Sequence, residues 1–197
     1  ELGKSVYNVS IPGHLQIGDG VGGVEADVVR LGNTSQIPSG ARLTIAGSGL
    51  FDLNNQTELF GSLAGSGAVD MGSGNLRTGS DNTSTTFSGV IAGSGYVEKS
   101  GSGTLALEGN NTYSGDTRIQ DGTLRVNGSQ PGSDVVVYSA GTLGGIGTVG
   151  AISGSGSVAP GASAGKLGCG GATFNAGSTF DVELDGHTLV DYDQLDV

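Results

Sequence analysis

The stretch from Gly103 to Gly128 constrains the fold more than any other part of this sequence. It reads GTLALEGNNTYSGDTRIQDGTLRVNG, so that short alternating segments lie between turns of Gly, Asn, Ser and Asp. Alternation of apolar and polar residues over a few positions predicts half-buried strands. Strands this short cannot bury an apolar face alone and must stack on neighbouring copies, which predicts a β-solenoid.

The spacing of the turn signals sets the size of one coil. Gly-Thr-Leu begins at Gly103, Gly122 and Gly141, a 19-residue interval. Three short strands at about 3.3 Å per residue, joined by tight corners, fit such a perimeter. We therefore predict an all-β chain folded as a single right-handed parallel β-helix (β-solenoid), with roughly eight to ten coils of about 19 to 24 residues.

A longer echo relates two aromatic residues. Thr86-Phe-Ser-Gly and Thr112-Tyr-Ser-Gly lie 26 residues apart. We expect Phe87 and Tyr113 to occupy the same inward position on successive coils.

The whole chain is predicted to be one domain. Residues 1–40 are less regular and are expected to form N-terminal coils, with strands near Val6–Val9, Leu15–Ile17 and Asp27–Leu31. Residues 41–197 are the repeat coils, with the clearest repeat at 101–128. No linker is long enough to require a second domain.

Composition excludes several classes of function. The formal net charge is −11, and the eight Lys and Arg residues are scattered, so nucleic-acid binding has no basic surface to use. No run of 18 apolar residues exists, so no helix of this segment is expected to enter a membrane. Cys169 is the sole cysteine, which rules out an intrachain disulfide and favours a small buried side chain. The chain begins at Glu1 without a signal peptide, which we interpret as a processed or excised piece.

Candidate chemistry is sparse. His14 and His187 are the only histidines, and no Gly-x-Ser-x-Gly turn accompanies them. The C-terminal stretch is acidic, and we expect a solvated strand face in which Val182 and Leu184 point to an apolar core. Calcium binding and glycosidic acid–base catalysis are the alternatives for these carboxylates. We predict no catalytic, cofactor-binding or metal residue. The carboxylates concerned are Asp181, Glu183, Asp185, Asp191, Asp193 and Asp196.

Asparagine recurs in the turns. Asn-x-Ser/Thr triplets begin at Asn33, Asn55, Asn82 and Asn127, among others. As glycan acceptors they would mark surface turns of a secreted protein. Stacked Asn and hydroxyl side chains at the coil corners are the structural use we expect.

The segment from Gly101 to Gly128 resembles the passenger-associated transport repeat, also called the autotransporter-associated β-strand repeat. The shared pattern is Gly-x-Gly-Thr-Leu-x-Leu, then Asn-Thr-Tyr-x-Gly, then Gly-Thr-Leu-x-Val, and weaker likeness extends over most of the chain. The resemblance implies a right-handed parallel β-helix in a large exported or cell-surface bacterial protein. It brings no catalytic residues with it.

The functional hypothesis is a non-enzymatic structural or adhesive segment at the bacterial outer surface or in the extracellular space. The expected partners are the chain itself or flanking repeats, by end-to-end stacking into a fibre, and glycans of a host, neighbouring cell or matrix. A polysaccharide-binding or polysaccharide-degrading β-helix is the alternative.

Overall fold

The computed structural model describes residues 13–161, 164–184 and 192–197. About 54% of the structure is strand, the described residues include no helix, and parallel sheets form a β-solenoid of about 8 turns. The strands are, in chain order, β1 (His14–Ile17), β2 (Asp27–Arg30), β3 (Arg42–Ile45), β4 (Gly49–Asp52), β5 (Glu58–Phe60), β6 (Ser62–Gly65), β7 (Ala68–Asp70), β8 (Leu76–Thr78), β9 (Thr85–Phe87), β10 (Val90–Ala92), β11 (Val97–Lys99), β12 (Thr104–Leu107), β13 (Thr117–Val126), β14 (Ser129–Gln130), β15 (Val135–Gly145), β16 (Thr148–Gly154), β17 (Ser157–Pro160), β18 (Lys166–Phe174), β19 (Thr179–Phe180) and β20 (Gln194–Asp196).

The strands stack on three sides of the solenoid, and the pairs between the named strands are all parallel. Side A holds β1, β3, β6, β9, β12, the second half of β13, the second half of β15, β17 and β19. Side B begins with β2, β4, β7 and β10, and later contains β14 and the starts of β16 and β18, followed by β20. Side C holds β5, β8, β11 and the remaining halves of the long strands. The predicted parallel solenoid is thereby confirmed, and the right-handed sense and the single domain over 1–197 stay predictions.

The registers define the coil length. Thr104 pairs with Thr123, and Thr123 with Thr142, so the 19-residue spacing is one coil. The expected range of 19 to 24 residues is too narrow, since Ile17 pairs with Ile45 and Leu143 with Val158. These pairings correspond to coils of 28 and 15 residues. The long coil carries a loop between β1 and β2, and the short one turns its corners within two residues.

Glycine makes the short coil possible. Gly145 and Gly154 have φ values of 111° and 133°, a region that residues with a Cβ atom rarely adopt. A Cβ atom at either position would overlap a backbone carbonyl oxygen of the preceding coil, that of Val126 or Val137. Close coil-to-coil approach and a sharp corner thus require glycine at the same positions.

The core is a set of apolar columns along the solenoid axis. On side A, Leu105, Leu124, Leu143 and Val158 follow one another in register, and each is at most 3% exposed. In sheets the polar side chains between them point outward. The first described coil follows the same rule, which confirms the strands expected near Leu15–Ile17 and Asp27–Leu31. Val6–Val9 lies outside the described residues.

Asparagine side chains tie successive corners together, as expected. The Oδ1 atoms of Asn55, Asn82 and Asn127 accept hydrogen bonds from backbone N–H groups one coil further along. Asn55 and Asn82 also have φ values of 65° and 60°, which Asn tolerates better than most residues. These side chains therefore both form the turn and link it to the next.

The expected equivalence of Phe87 and Tyr113 is wrong. Phe87 lies in β9 on side A and pairs with Leu107, whereas Tyr113 lies between sides B and C. Both rings are buried, at 0% and 1% exposure. The 26-residue echo exceeds the local coil length, so it places the second copy further around the perimeter.

Tyr113 anchors a buried polar network between two coils. The Oγ of Ser133 donates to the Gly115 carbonyl at 2.7 Å, so it accepts from the Oγ1 of Thr117 at 2.8 Å. Thr117 in turn accepts from the Tyr113 hydroxyl at 2.6 Å and from Nε2 of Gln130 at 2.9 Å. Each hydroxyl hydrogen thus has one defined acceptor. Such a network holds its two coils in one register.

This network predicts an unusual tyrosine. Burial raises the pKa of Tyr113 to about 12, opposed by its hydrogen bonds with Thr117, Ser133 and Gln130. Spectrophotometric titration should show one tyrosine ionising near that pH, and Tyr113→Phe should remove it. Because the pKa is raised on folding, the stability from this group falls as the pH rises through it. At neutral pH the loss of one hydrogen bond should lower the free energy of unfolding by about 1 kcal/mol.

Tyr138, which is 40% exposed, provides the matched control. Tyr138→Phe should leave both the high-pH ionisation and the stability unchanged. Ordinary titration of every tyrosine in the folded wild type would contradict the buried network.

Candidate functional site

The outward face of side A carries two columns of mostly small side chains, which we call the outer strip. One column contains hydroxyls in register, and the other contains small residues interrupted by one arginine. Thr104 donates its N–H to the Oγ of Ser84 at 3.0 Å, which extends the hydroxyl column by one coil. The hydroxyl column is Ser84, Thr104, Thr123, Thr142, Ser157 and Thr179, and the second column is Thr86, Ala106, Arg125, Gly144 and Ala159.

Arg125 is the long side chain of the second column. Gly144, the next residue in this column, leaves room for it, since a Cβ atom there would lie 3.8 Å from the Cγ of Arg125. Arg30, Arg77, Arg118 and Lys166 each form an ion pair, whereas among the described residues Arg125 is an exposed cation that forms none. Its guanidinium is therefore available to a ligand.

Arg125 lies between two concave parts of the strip. On one side is a shallow groove of about 460 Å³, in which Asn127 donates from Nδ2 to Glu108 at 2.8 Å. On the other is an open cleft of about 580 Å³ near the C-terminus. The groove is lined by Ser84, Thr85, Thr86, Thr104, Ala106, Glu108, Arg125 and Asn127. The cleft is lined by Arg125, Ala159, Pro160, Gly161, Phe180, Asp181, Val182, Glu183 and Asp193.

The predicted strand face of the acidic stretch is wrong. The strand β19 ends at Phe180, and Val182 and Leu184 are 40% and 76% exposed, so no apolar core lies beneath them. An antiparallel bridge between Leu184 and Tyr192 replaces a continuing parallel strand, because the chain leaves the solenoid perimeter here. Asp185, Asp191 and His187 lie outside the described residues.

The acidic residues do not act as one cluster. Asp181, Glu183 and Asp193 line the cleft, whereas Asp196 pairs with Lys166 at 2.7 Å on the exposed β18–β20 edge. Asp193 is 8% exposed, and its two carboxylate oxygens accept the N–H groups of Gly165 and Glu183 at 2.9 and 3.1 Å. This carboxylate therefore holds two chain segments together.

The other sequence candidates lie elsewhere. His14 is at the opposite end of side A, where its Nε2 lies 3.0 Å from the Oγ1 of Thr44. Cys169 is buried, as expected for a small apolar residue. Within 13–161, 164–184 and 192–197, no three His, Cys, Asp or Glu side chains are grouped so as to hold a metal ion. None of the helices that a bilayer crossing would need, long and apolar, occurs in the same ranges.

Two buried charges were missed by the sequence analysis. Glu58 is fully buried, and its carboxylate oxygens accept the N–H groups of Gln36 and Ile37, each at 2.9 Å. Burial raises the pKa of Glu58, while these backbone hydrogen bonds oppose the shift. The carboxylate thus fastens the segment before β3 onto the following coil.

Lys99 is the second buried charge, at 1% exposure. Its Nζ donates to the carbonyls of Ser100, Gly101 and Asp121 at 2.7, 2.6 and 3.1 Å, and so ties two successive corners together. Burial lowers the pKa of Lys99, and the charges of Asp121 and Asp81 oppose this. Buried ionisable groups often mark active sites, but the partners of Glu58 and Lys99 are backbone groups, which indicates structural roles.

Glu58 gives the stability a pH dependence of defined sign. Its pKa in the folded state lies above the ordinary value of 4.5, so the folded state binds the proton more strongly than the unfolded state. The stability from this group is therefore complete below the unfolded pKa and is lost as the pH rises through the folded pKa. We expect the wild type to gain stability relative to Glu58→Gln when urea unfolding is compared between about pH 7 and about pH 4.5.

Glu108→Gln, at an exposed glutamate, is the control and should show a much smaller pH-dependent difference. A wild type that instead loses stability relative to Glu58→Gln as the pH falls would show that the folded pKa of Glu58 is depressed.

Comparison with known proteins identifies part of the chain. The family model of the passenger-associated-transport-repeat matches residues 97–126, which run from β11 to the end of β13. This range contains Lys99, Tyr113, Thr117 and Arg125. The match overlaps the repeat expected at 101–128 and begins one strand earlier.

Three sequence relatives match over parts of their length. The adhesin BmaC autotransporter of Brucella suis biovar 1 (strain 1330) is 40% identical over 96 residues, 44% of this chain and 3% of the adhesin. An extracellular serine protease of Serratia marcescens is 46% identical over 70 residues, 36% of this chain and 7% of the protease. A second extracellular serine protease of Serratia marcescens is 49% identical over 59 residues, 30% of this chain and 6% of that protein.

The matched regions are therefore a small fraction of these relatives. No solved structure matches the chain significantly. The geometry and the family match agree on the same residues, because the matched segment contains side C and side A strands of successive coils in register. This chain is a β-solenoid that carries a passenger-associated transport repeat at residues 97–126.

Proposed function

We propose that this chain is a structural and adhesive segment of an exported bacterial protein, located at the outer surface or in the extracellular space. The observation that carries the proposal is the passenger-associated-transport-repeat at residues 97–126 within a continuous solenoid. The names of the relatives, an adhesin autotransporter and extracellular proteases, support export. The work of the segment is to extend, display and contact.

A role without catalysis is part of this proposal. The matches to the proteases cover at most 7% of those proteins, so their names carry little weight for this segment. His14 is bonded to a threonine and lies at the far end of side A from the acidic cleft. The described carboxylate with the deepest burial, Glu58, is occupied by backbone N–H groups.

The ends of the solenoid are the proposed contacts with further coils, either of flanking repeats or of a second copy. Within the described residues β19 pairs with β17 alone and β20 with β18 alone, so each leaves one edge open. Phe174 and Phe180 lie at this end, 44% and 43% exposed, with ring centroids 5.9 Å apart. A head-to-tail contact of this kind extends into a filament unless it closes.

The proposal is tested on intact cells that express the natural protein. An antibody raised against this chain should label unpermeabilised bacteria or their culture medium, and beads coated with the chain should adhere to cells or matrix. Beads coated with a β-solenoid of unrelated sequence are the control for adhesion.

Two results would contradict the proposal. Labelling confined to permeabilised cells would exclude the surface and the extracellular space. Adhesion no stronger than that of the control beads would remove the adhesive role and leave a spacer.

A further inference from the structure

The outer strip combines hydrogen-bonding chemistry with a flat shape. Its hydroxyls, the Asn127 amide and the Arg125 guanidinium donate, while hydroxyls and the Glu108 carboxylate accept. Small side chains such as Ala106, Gly144 and Ala159 keep the surface between them low. A ligand that lies along this strip must therefore present many donors and acceptors at close intervals.

The length and repeat of the strip narrow the choice of ligand. Neighbouring coils are about 4.8 Å apart, so the column from Ser84 to Thr179 extends over about 24 Å. This spacing is close to the length of one pyranose unit in a linear glycan. Each coil can thus offer one hydroxyl to each successive sugar.

Charge decides between neutral and anionic ligands. Arg125 is flanked by Glu108 in the groove and by Asp181 and Glu183 in the cleft. The chain as a whole has a net charge of −11. A polyanion would be repelled by this field, whereas one guanidinium can still donate to the oxygens of an uncharged sugar.

The cleft adds an apolar element at one end. Phe180 is 43% exposed and lines the cleft together with Arg125 and Pro160. An exposed ring of this kind can contact the apolar face of a sugar while the polar groups bind its hydroxyls. The groove, Arg125 and the cleft therefore form one continuous candidate site.

We propose that the outer strip, centred on Arg125, binds a neutral linear glycan that lies along the solenoid axis. This inference rests on the proposed adhesive function and names the chemical class of its ligand. Arg125 bridges groove and cleft, the hydroxyl column follows the sugar chain, and Phe180 contacts a terminal unit.

The test is calorimetric titration of the purified chain with cellohexaose, chitohexaose and laminarihexaose, and with a heparin hexasaccharide as the anionic comparison. At least one neutral hexasaccharide should bind saturably, and the heparin fragment more weakly. Arg125→Ala should weaken that binding at least about tenfold, and Ala106→Gln, which places a long side chain in the groove, should do the same.

Arg42→Ala is the matched control. Arg42 is another exposed side-A arginine for which no ion pair is formed among the described residues, and it lies several coils from the groove. This variant should bind as the wild type does. Circular dichroism of all three variants checks that the solenoid is retained.

Several results would overturn the inference. These are the absence of neutral-glycan binding up to millimolar concentrations, binding that Arg125→Ala leaves intact, and preference for the heparin fragment. Sedimentation in which the wild type self-associates and Arg125→Ala does not would assign the strip to a second copy of the chain. None of these results would affect surface labelling of intact cells, so the proposed function is tested separately.

Discussion

Parallel backbone pairing between successive coils is the interaction on which the whole structure depends. Each coil places its N–H and C=O groups along the solenoid axis, and the next coil supplies their partners, as in the pairing of β12, β13 and β15. Unpaired backbone groups are costly when buried. A coil is therefore stable only between neighbours, and every other feature either keeps the coils in register or uses the surface that they form.

Three kinds of polar contact keep that register. Asn55 and Asn82 bond to the following corner, Lys99 binds carbonyls of two corners, and Tyr113 joins a network across two coils. Apolar columns alone would tolerate a shift by one coil, since Leu105, Leu124 and Leu143 are alike. The buried polar contacts are specific to their positions and so distinguish the correct pairing from a shifted one. Lys99 and Tyr113 both lie within the passenger-associated transport repeat.

Much of the architecture was predictable because strand alternation and glycine spacing are local signals. The Gly103, Gly122 and Gly141 interval gave the coil, and Leu105–Leu107 and Leu124–Val126 gave strands of side A. Alternation also held the signal for Lys99, which shares the inward side of β11 with Val97, but a lysine was not expected there. The echo between Phe87 and Tyr113 misled because coils differ in length, which only the pairing shows. Arg125 was counted as one scattered cation, since its position in a column of small residues depends on register across three coils.

The coil register also places the outer strip, so the most direct test of this account is disulfide trapping across that register. Thr104 and Thr123 are paired on adjacent coils, about 4.8 Å apart, whereas Thr104 and Thr142 are two coils apart. In a Cys169→Ala background, the pair Thr104→Cys and Thr123→Cys should form a disulfide on mild oxidation. The pair Thr104→Cys and Thr142→Cys should not, because its Cα atoms lie beyond the roughly 7 Å that a disulfide can bridge. Equal oxidation of both pairs, or of the second alone, would contradict the 19-residue parallel coil.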